Sequence, residues 1–355
     1  MSSLQGSTLT AFAIGGAVAL AVSAACIRWV APMGWTDQPN ARKQHRIPTA
    51  RTAGLALWLL LLGVLAAGCC PPALTRVEWA AIHGMALLGF LDDRWNLRNR
   101  SKALVGLAIA VVLAVEMAPD LARHAATFNF LGMVLPNQLL VTVPLLTLWF
   151  WSIPQAFNLI DGINGLSIGF SLTLLAVLSL VIGYAPIGGY LEGALLMVLV
   201  LNYPRAKHFL GDCGSLMLGT LFAILSAKTF AATSPNLLLW VFAYPAVDVS
   251  LVVAVRKWKR APLGVADRSH MHHFLVDRLG SDQAWLVPVI LLGLASLTMT
   301  RALDFPGHEA TAMLGLAGLF LLAGTAFRDR VSVPNVMPLR PLRALHEVAE
   351  PNQVA

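Results

Sequence analysis

Apolar runs of about 17–25 residues recur from one end of this chain to the other, and each is about the length of helix that crosses a bilayer. Eleven can be placed, at about residues 8–31, 52–70, 77–91, 103–119, 138–157, 163–184, 189–203, 214–232, 235–255, 284–302 and 309–327. In hydrocarbon every backbone N–H and C=O must be satisfied inside its own segment, so such runs are helices. The expected fold is all-α: a polytopic integral membrane protein with one transmembrane domain over residues 1–330. The remaining residues 331–355, with Pro334, Pro338, Pro341 and Pro351, form a tail expected to be cytoplasmic and flexible. No internal repeat is visible, which argues against a transporter built from inverted repeats.

Composition agrees. The chain is 57% hydrophobic and 12% charged, about half the charged fraction of a soluble domain. Cys26, Cys69, Cys70 and Cys213 form no CxxC pair, and three lie in or beside apolar runs, so neither a disulfide framework nor a zinc site is expected. The first run is too long for a cleaved signal and has no basic leader, so it is expected to stay as a span.

Lysine and arginine gather in alternate loops. Arg42, Lys43, Arg46 and Arg51 follow the first run, and Arg94, Arg98, Arg100 and Lys102 follow the third. Arg205 and Lys207 follow the seventh; Arg256, Lys257, Lys259, Arg260, Arg268 and Arg278 follow the ninth; Arg328, Arg330, Arg340 and Arg343 lie in the tail. Only Arg76, Arg123 and Arg301 fall in the other loops. The positive-inside rule then puts the N-terminus outside and the odd-numbered loops and tail in the cytoplasm. The net charge of +7 is accounted for by this asymmetry, and no nucleic-acid partner is expected.

The acidic residues Asp92, Asp93, Asp161, Asp212, Asp248 and Asp267 collect at the same cytoplasmic ends and loops. Carboxylates near a membrane are costly, so their gathering on one face implies a shared purpose. Asp212 stands between Gly211 and Gly214 immediately before an apolar run, in the stretch Asn202–Gly219. It could cap the helix that follows, or hold a hard cation such as Mg2+ while Arg205, Lys207 and His208 grip phosphate. Asp92 and Asp93 end the third run: a solvated end paired with Arg94, or a carboxylate pair able to take a proton or bind Mg2+. In a helix Asn158, Asp161 and Asn164 share one face; the alternative is a polar turn.

His270, His272 and His273 follow Asp267 and Arg268. Zinc ligands are usually spread more widely, and a histidine cluster among basic residues suits pyrophosphate or anionic lipid. Asp248 reads as a partnered intramembrane acid. The loop from Asp37 to Arg51, with Lys43 and His45, suits lipid headgroups or a substrate phosphate equally.

Together these segments resemble the polyprenyl-phosphate N-acetylhexosamine-1-phosphate transferases, glycosyltransferase family 4. The resemblance rests on five segments in the family's order: Arg42 to Pro48, Asp92-Asp93, Asn158 to Gly162, Phe209 to Ser215, and His270 to His273. It implies eleven helices in a bacterial inner membrane, with a cytoplasmic active site. It also implies a Mg2+-dependent reaction (Mn2+ as a substitute) that moves N-acetylhexosamine 1-phosphate from a UDP-sugar donor to undecaprenyl phosphate and releases UMP. By the same resemblance Asp212 is the metal ligand and Asp92, Asp93 and Asp161 are catalytic. Arg268, His270, His272 and His273 grip the donor phosphates, Asn158, Asn164, Asn202, Phe209 and Gly211 surround the nucleotide, and Lys43 and His45 belong to the basic loop.

Some positions depart from the family's pattern. Asn164 stands where Asp is frequent, Gln155 where Asn is common, Ala53-Gly54 where Gly-Gly is frequent, and Gly106 where Gln is often found. His270-Met271-His272-His273 is similar to the WecA-like branch and unlike the three consecutive histidines of the MraY branch. The expected donor is therefore UDP-GlcNAc, with UDP-FucNAc, UDP-QuiNAc and phospho-MurNAc-pentapeptide as alternatives, and the product would start an O-antigen or other surface polysaccharide. A homodimer is compatible with this reading. A lipid carrier, transporter or scaffold without chemistry is the competing class, and the retained cytoplasmic acids weigh against it.

Overall fold

The computed structural model describes residues 2–39, 47–68, 74–124, 126–130, 133–182, 185–230, 242–258, 260 and 270–290. Helices account for most of them: α1 (Ser2–Ala25), α2 (Ala53–Ala66), α3 (Arg76–Trp95), α4 (Asn99–His124), α5 (Leu139–Ile160), α6 (Leu166–Ile182), α7 (Ala185–Asn202), α8 (Gly211–Phe230), α9 (Ala243–Trp258), α10 (Met271–Leu279) and α11 (Ser281–Ala284). Each of the first nine apolar runs coincides in whole or in part with one of α1 to α9. The tenth beyond residue 290, the eleventh and the tail fall outside the described residues. Two short antiparallel pairs complete the description: β1 (Thr36–Asp37) with β2 (Thr49–Ala50), and β3 (Thr127–Phe130) with β4 (Met133–Pro136) between α4 and α5.

Helix α8 is the axis of the bundle. Leu216 to Leu218 and Leu221 to Leu225 are buried on every side, as expected of a helix that is apolar all round. Helices α2, α3, α5 and α6 pack on it, α1 runs along α7, and α4 runs along α5. Phe157 of α5 anchors the core, stacked on Phe222 at 5.7 Å and edge-on to Phe170 at 5.8 Å between ring centroids.

The outer surface is inverted relative to a water-soluble protein. Leu104, Val105, Val111, Val112 and Val115 of α4 are exposed, while Ala110, Ala114 and Ala118 face inward. An apolar face of this extent requires a non-aqueous neighbour. Three helical stretches, Thr8–Met33, Asn99–Arg123 and Leu139–Ile160, are long and apolar enough to cross a membrane by length and composition. The protein is thus mostly helical, with the apolar spans of a membrane protein.

Helices α3 and α8 are tied at both ends. At one end Thr75 and Glu78 form a capping box on α3, and Lys228 Nζ donates to both Glu78 oxygens at 2.9 and 2.8 Å. Glu78 is 3% exposed. Removing the buried Glu78 leaves the half-buried Lys228 without its carboxylate and the Thr75 N–H without its acceptor, so Glu78→Ala is expected to cost about 1–3 kcal/mol. A lowered melting temperature in detergent would record this, and Glu78→Leu with Lys228→Met should recover most of the loss. Equal melting temperatures for Glu78→Ala and the double variant would refute the ion-pair account.

Candidate active site

The opposite ends of α3 and α8 carry the acids. Helix α3 stops at Asn96, whose φ of 50° is left-handed. The last turn delivers Asp92 and Asp93 to different surroundings. Asp92 Oδ1 accepts the Leu97 N–H at 2.7 Å and its Oδ2 accepts Lys102 Nζ at 2.8 Å. Lys102 comes from the first turn of α4 and also donates to Asp212 Oδ2 at 2.8 Å. One ammonium therefore gathers two carboxylates from α3 and α8.

Asp93 turns the other way. Its carboxylate accepts the N–H groups of Asp212 at 3.0 Å and Cys213 at 2.9 Å. The capping of α8 thus falls to Asp93 across the interface. The Asp212 side chain takes no part in that cap and meets Lys102 instead. The capping by Asp93 also removes an apparent conflict. A carboxylate at the C-terminus of α3 opposes that helix's dipole, but Asp93 lies at the positive end of α8. Gly211 makes the approach possible: its φ is 70°, and a Cβ there would sit 2.6 Å from Asp93 Oδ2.

Asp161 follows the last residue of α5 as its C-cap. Burial raises its carboxyl well above the ordinary carboxylate range, helped by the charges of Asp212 and Asp93 and opposed by the Gly211 N–H and Arg51. One helical turn earlier, Asn158 Nδ2 donates to Ser215 Oγ of α8 at 3.1 Å. Asn158, Asp161 and Asp212 are thereby assembled around the start of α8.

The remaining asparagines hold loops. Asn202, 4% exposed at the end of α7, accepts the Gly165 N–H through Oδ1 at 2.7 Å and donates to the His208 carbonyl at 2.9 Å. Asn164 Nδ2 donates to the Pro204 carbonyl at 3.0 Å. Both clamp the α5–α6 turn to the α7–α8 loop. Phe209 acts through its backbone: its N–H donates to the Ala50 carbonyl at 2.7 Å and its carbonyl accepts the Ala53 N–H at 3.1 Å. Helix α2 then crosses α8 so tightly that a Cβ on Gly54 would lie 2.1 Å from Gly214 N. The Ala53-Gly54 departure keeps glycine at the position where contact demands it.

His270, His272 and His273 open α10, and the ring of His272 lies over Gly162, where a Cβ would come within 2.3 Å of His272 Nε2. The histidine motif therefore meets the chain one residue from Asp161. Lys43, His45 and Arg268 fall outside the described residues.

Lys102 is the member that sequence reasoning overlooked. In sequence it reads as one more cytoplasmic charge, although a lysine ten residues after Asp92 and at the very start of an apolar run can reach back to that acid. His208, which in sequence reads as a basic group that grips phosphate with Arg205 and Lys207, does not reach one. It is fully buried, and among the described residues neither ring nitrogen has a hydrogen-bond partner. Burial lowers its pKa to about 4, so it is neutral at pH 7. Between about 6.5, the value in an unfolded chain, and about 4 the unfolded state takes up a proton that the folded state lacks. Stability is therefore full above that window and is lost as pH falls through it, by roughly 3 kcal/mol at its lower edge. Melting curves of His208→Val should show a smaller loss between pH 7 and pH 4.5 than those of the parent; parallel losses would exclude this account.

Comparisons with known proteins point the same way. Residues 76–229, spanning α3 to α8, match the model of glycosyl transferase family 4. The chain is 29% identical over 331 residues to the Bacillus subtilis (strain 168) protein described as a probable undecaprenyl-phosphate N-acetylglucosaminyl 1-phosphate transferase, with 88% of each chain covered. It is 28% identical over 317 residues to the undecaprenyl-phosphate alpha-N-acetylglucosaminyl 1-phosphate transferase of Escherichia coli (strain K12), covering 82% of each. It is likewise 28% identical over 340 residues to the decaprenyl-phosphate N-acetylglucosaminephosphotransferase of Mycobacterium tuberculosis (strain ATCC 25618 / H37Rv), covering 83% of this chain and 81% of that one. The matched segment holds the acids gathered by α3, α5 and α8, and the relatives extend the similarity to prenyl-phosphate N-acetylglucosamine 1-phosphate transferases over most of the chain.

Proposed function

We propose that this protein transfers N-acetylglucosamine 1-phosphate from UDP-GlcNAc to undecaprenyl phosphate at the cytoplasmic face of a bacterial inner membrane, releasing UMP. The lipid-linked sugar would start an O-antigen or other cell-surface polysaccharide. The chain would cross the membrane eleven times with its N-terminus outside, as the distribution of Lys and Arg favours. The acceptor and the sugar follow the names of the relatives, and the WecA-like histidine motif favours the same donor. The observation that carries the chemistry is the convergence of Asp92 and Asp212 on one cation, the Lys102 ammonium, with Asp161 beside them.

In this reaction an oxygen of the lipid phosphate attacks the β-phosphorus of the UDP-sugar. A new P–O–P linkage forms, the bond from that phosphorus to the bridging oxygen breaks, and UMP leaves with the electron pair. Asp92 is the acid placed to accept the proton of the lipid phosphate or to orient it. Asp161, with its raised pKa, is suited to carry a proton and to donate a hydrogen bond to a phosphate oxygen. Lys102 would offset charge on the transferring group, and His270, His272 and His273, with Arg268, would hold the donor diphosphate. Direct displacement requires no covalent aspartyl intermediate.

The donor set fits a hard cation. Asp92 Oδ2 and Asp212 Oδ2 lie within 2.8 Å of the same positive nitrogen, and carboxylate oxygen is the ligand type Mg2+ and Mn2+ take. Mg2+ held by Asp212 would neutralise developing charge on the phosphoryl oxygens.

The test is UMP release from purified protein with undecaprenyl phosphate and a panel of UDP-sugars, with and without a chelator. Mg2+-dependent release with UDP-GlcNAc is expected. Release with a different UDP-N-acetylhexosamine alone would correct the sugar, and release that survives chelation would remove the metal. No release from folded protein with any donor would sink the reading.

A further inference from the structure

Asp248 lies in α9, 22 residues before His270, and is 1% exposed. Its two oxygens do different work. Oδ1 accepts the Met271 N–H at 2.6 Å, and Oδ2 lies 3.0 Å from His270 Nδ1. His270 is the N-cap of α10, with φ −78° and ψ 151°, and its own side chain makes no capping hydrogen bond. The cap is therefore supplied from another helix: a buried carboxylate satisfies the first N–H of α10.

The same carboxylate selects a tautomer. An ionised carboxyl offers only acceptors, so the 3.0 Å contact puts a proton on His270 Nδ1 and leaves Nε2 as the nitrogen available to a ligand. His272 stacks on His270, with ring centroids 5.6 Å apart and planes 10° from parallel, and its Nδ1 is 4.0 Å from Asp248 Oδ2. Since His272 also lies over Gly162, the acid on α9 sets the position of the motif relative to Asp161.

We propose that Asp248 is the positioning residue of the histidine motif: it starts α10 through Met271 and orients His270 through Nδ1, so that Nε2 is presented to the donor diphosphate. This rests on the reading of the motif as the grip on the donor phosphates. A role confined to folding would need only a buried group that holds the loop; an orienting role needs an acceptor facing His270.

Asp248→Asn separates the two. Its amide oxygen can keep the Met271 N–H, while its amide nitrogen faces His270 Nδ1 as a donor and forces the ring proton to Nε2. Two measurements follow. In 15N NMR of histidine-labelled protein, a signal from an Nδ1-protonated ring should vanish in His270→Gln, which assigns it, and should change to the Nε2-protonated form in Asp248→Asn. In UMP release, Asp248→Asn should raise KM for UDP-GlcNAc about 10- to 100-fold, leave KM for undecaprenyl phosphate within about twofold, and be partly rescued by Asp248→Glu. An unchanged His270 tautomer in Asp248→Asn would overturn the proposal, and so would an equal rise in both KM values, which marks a structural role. Parent protein that is folded yet releases no UMP would refute the transferase reading instead, and the NMR arm would still decide the link between Asp248 and His270.

Discussion

Asp212→Asn is expected to lower UMP release by at least about 10³-fold while leaving the protein folded. The side chain carries half of the anionic charge that meets Lys102. Asparagine has the same shape, but it offers one oxygen and no charge to a cation. The fold should tolerate the change because α8 does not depend on this side chain for its cap: Asp93 still accepts the N–H groups at 212 and 213. Asn158 remains bonded to Ser215. Melting temperature, Mg2+ titration and single-turnover rate should be measured together. A near-normal rate would end the assignment of Asp212 as a metal ligand, and lost activity with lost folding would show that its side chain supports α8 after all.

The order of chemical motifs could be read from the sequence because each sits at the end of an apolar run, and apolar runs are the strongest signal a membrane chain carries. Helices α1 to α9 follow those runs. Pairings between helices are far less legible. Nothing in the runs says that α1 lies along α7 or that α8 is central, since side chains facing lipid and side chains facing protein are both apolar. The exposed Val111, Val112 and Val115 of α4 look no different in sequence from the buried Leu113.

Side-chain direction was the other hidden quantity. Asp92 and Asp93 are neighbours and read as one pair, yet successive helix positions are rotated by about 100°, and the two carboxylates enter different networks. Lys102 joins Asp92 to Asp212 across 110 residues of sequence, and Asp248 meets Met271 across 23. Two departures from the family's pattern also become intelligible together. A Cβ on Gly106 would stand 3.5 Å from Gln155 Nε2, so the missing side chain on α4 leaves the space that the longer amide on α5 uses.

The divided surroundings of the acidic pair predict divided phenotypes. Asp92→Asn should fold normally, because Lys102 still has Asp212 as its partner and the amide oxygen can still accept the Leu97 N–H. Its turnover should fall about 10²- to 10⁴-fold, the range for loss of a positioned proton acceptor. Asp93→Asn should do something else. Its carboxylate receives two backbone N–H groups, one on each oxygen, and an amide can accept only one while turning its own N–H2 toward the other. The unsatisfied donor should cost about 1–3 kcal/mol, and the displaced start of α8 should shift Asp212. The signature is a lower melting temperature together with a raised Mg2+ requirement, with activity partly restored at high Mg2+. Asp92→Asn should show neither. If Asp93→Asn instead melts like the parent and loses turnover that no Mg2+ concentration restores, Asp93 is the proton acceptor and the cap is incidental. If both variants behave alike in all three measurements, the two aspartates act as the single unit that their adjacency suggests.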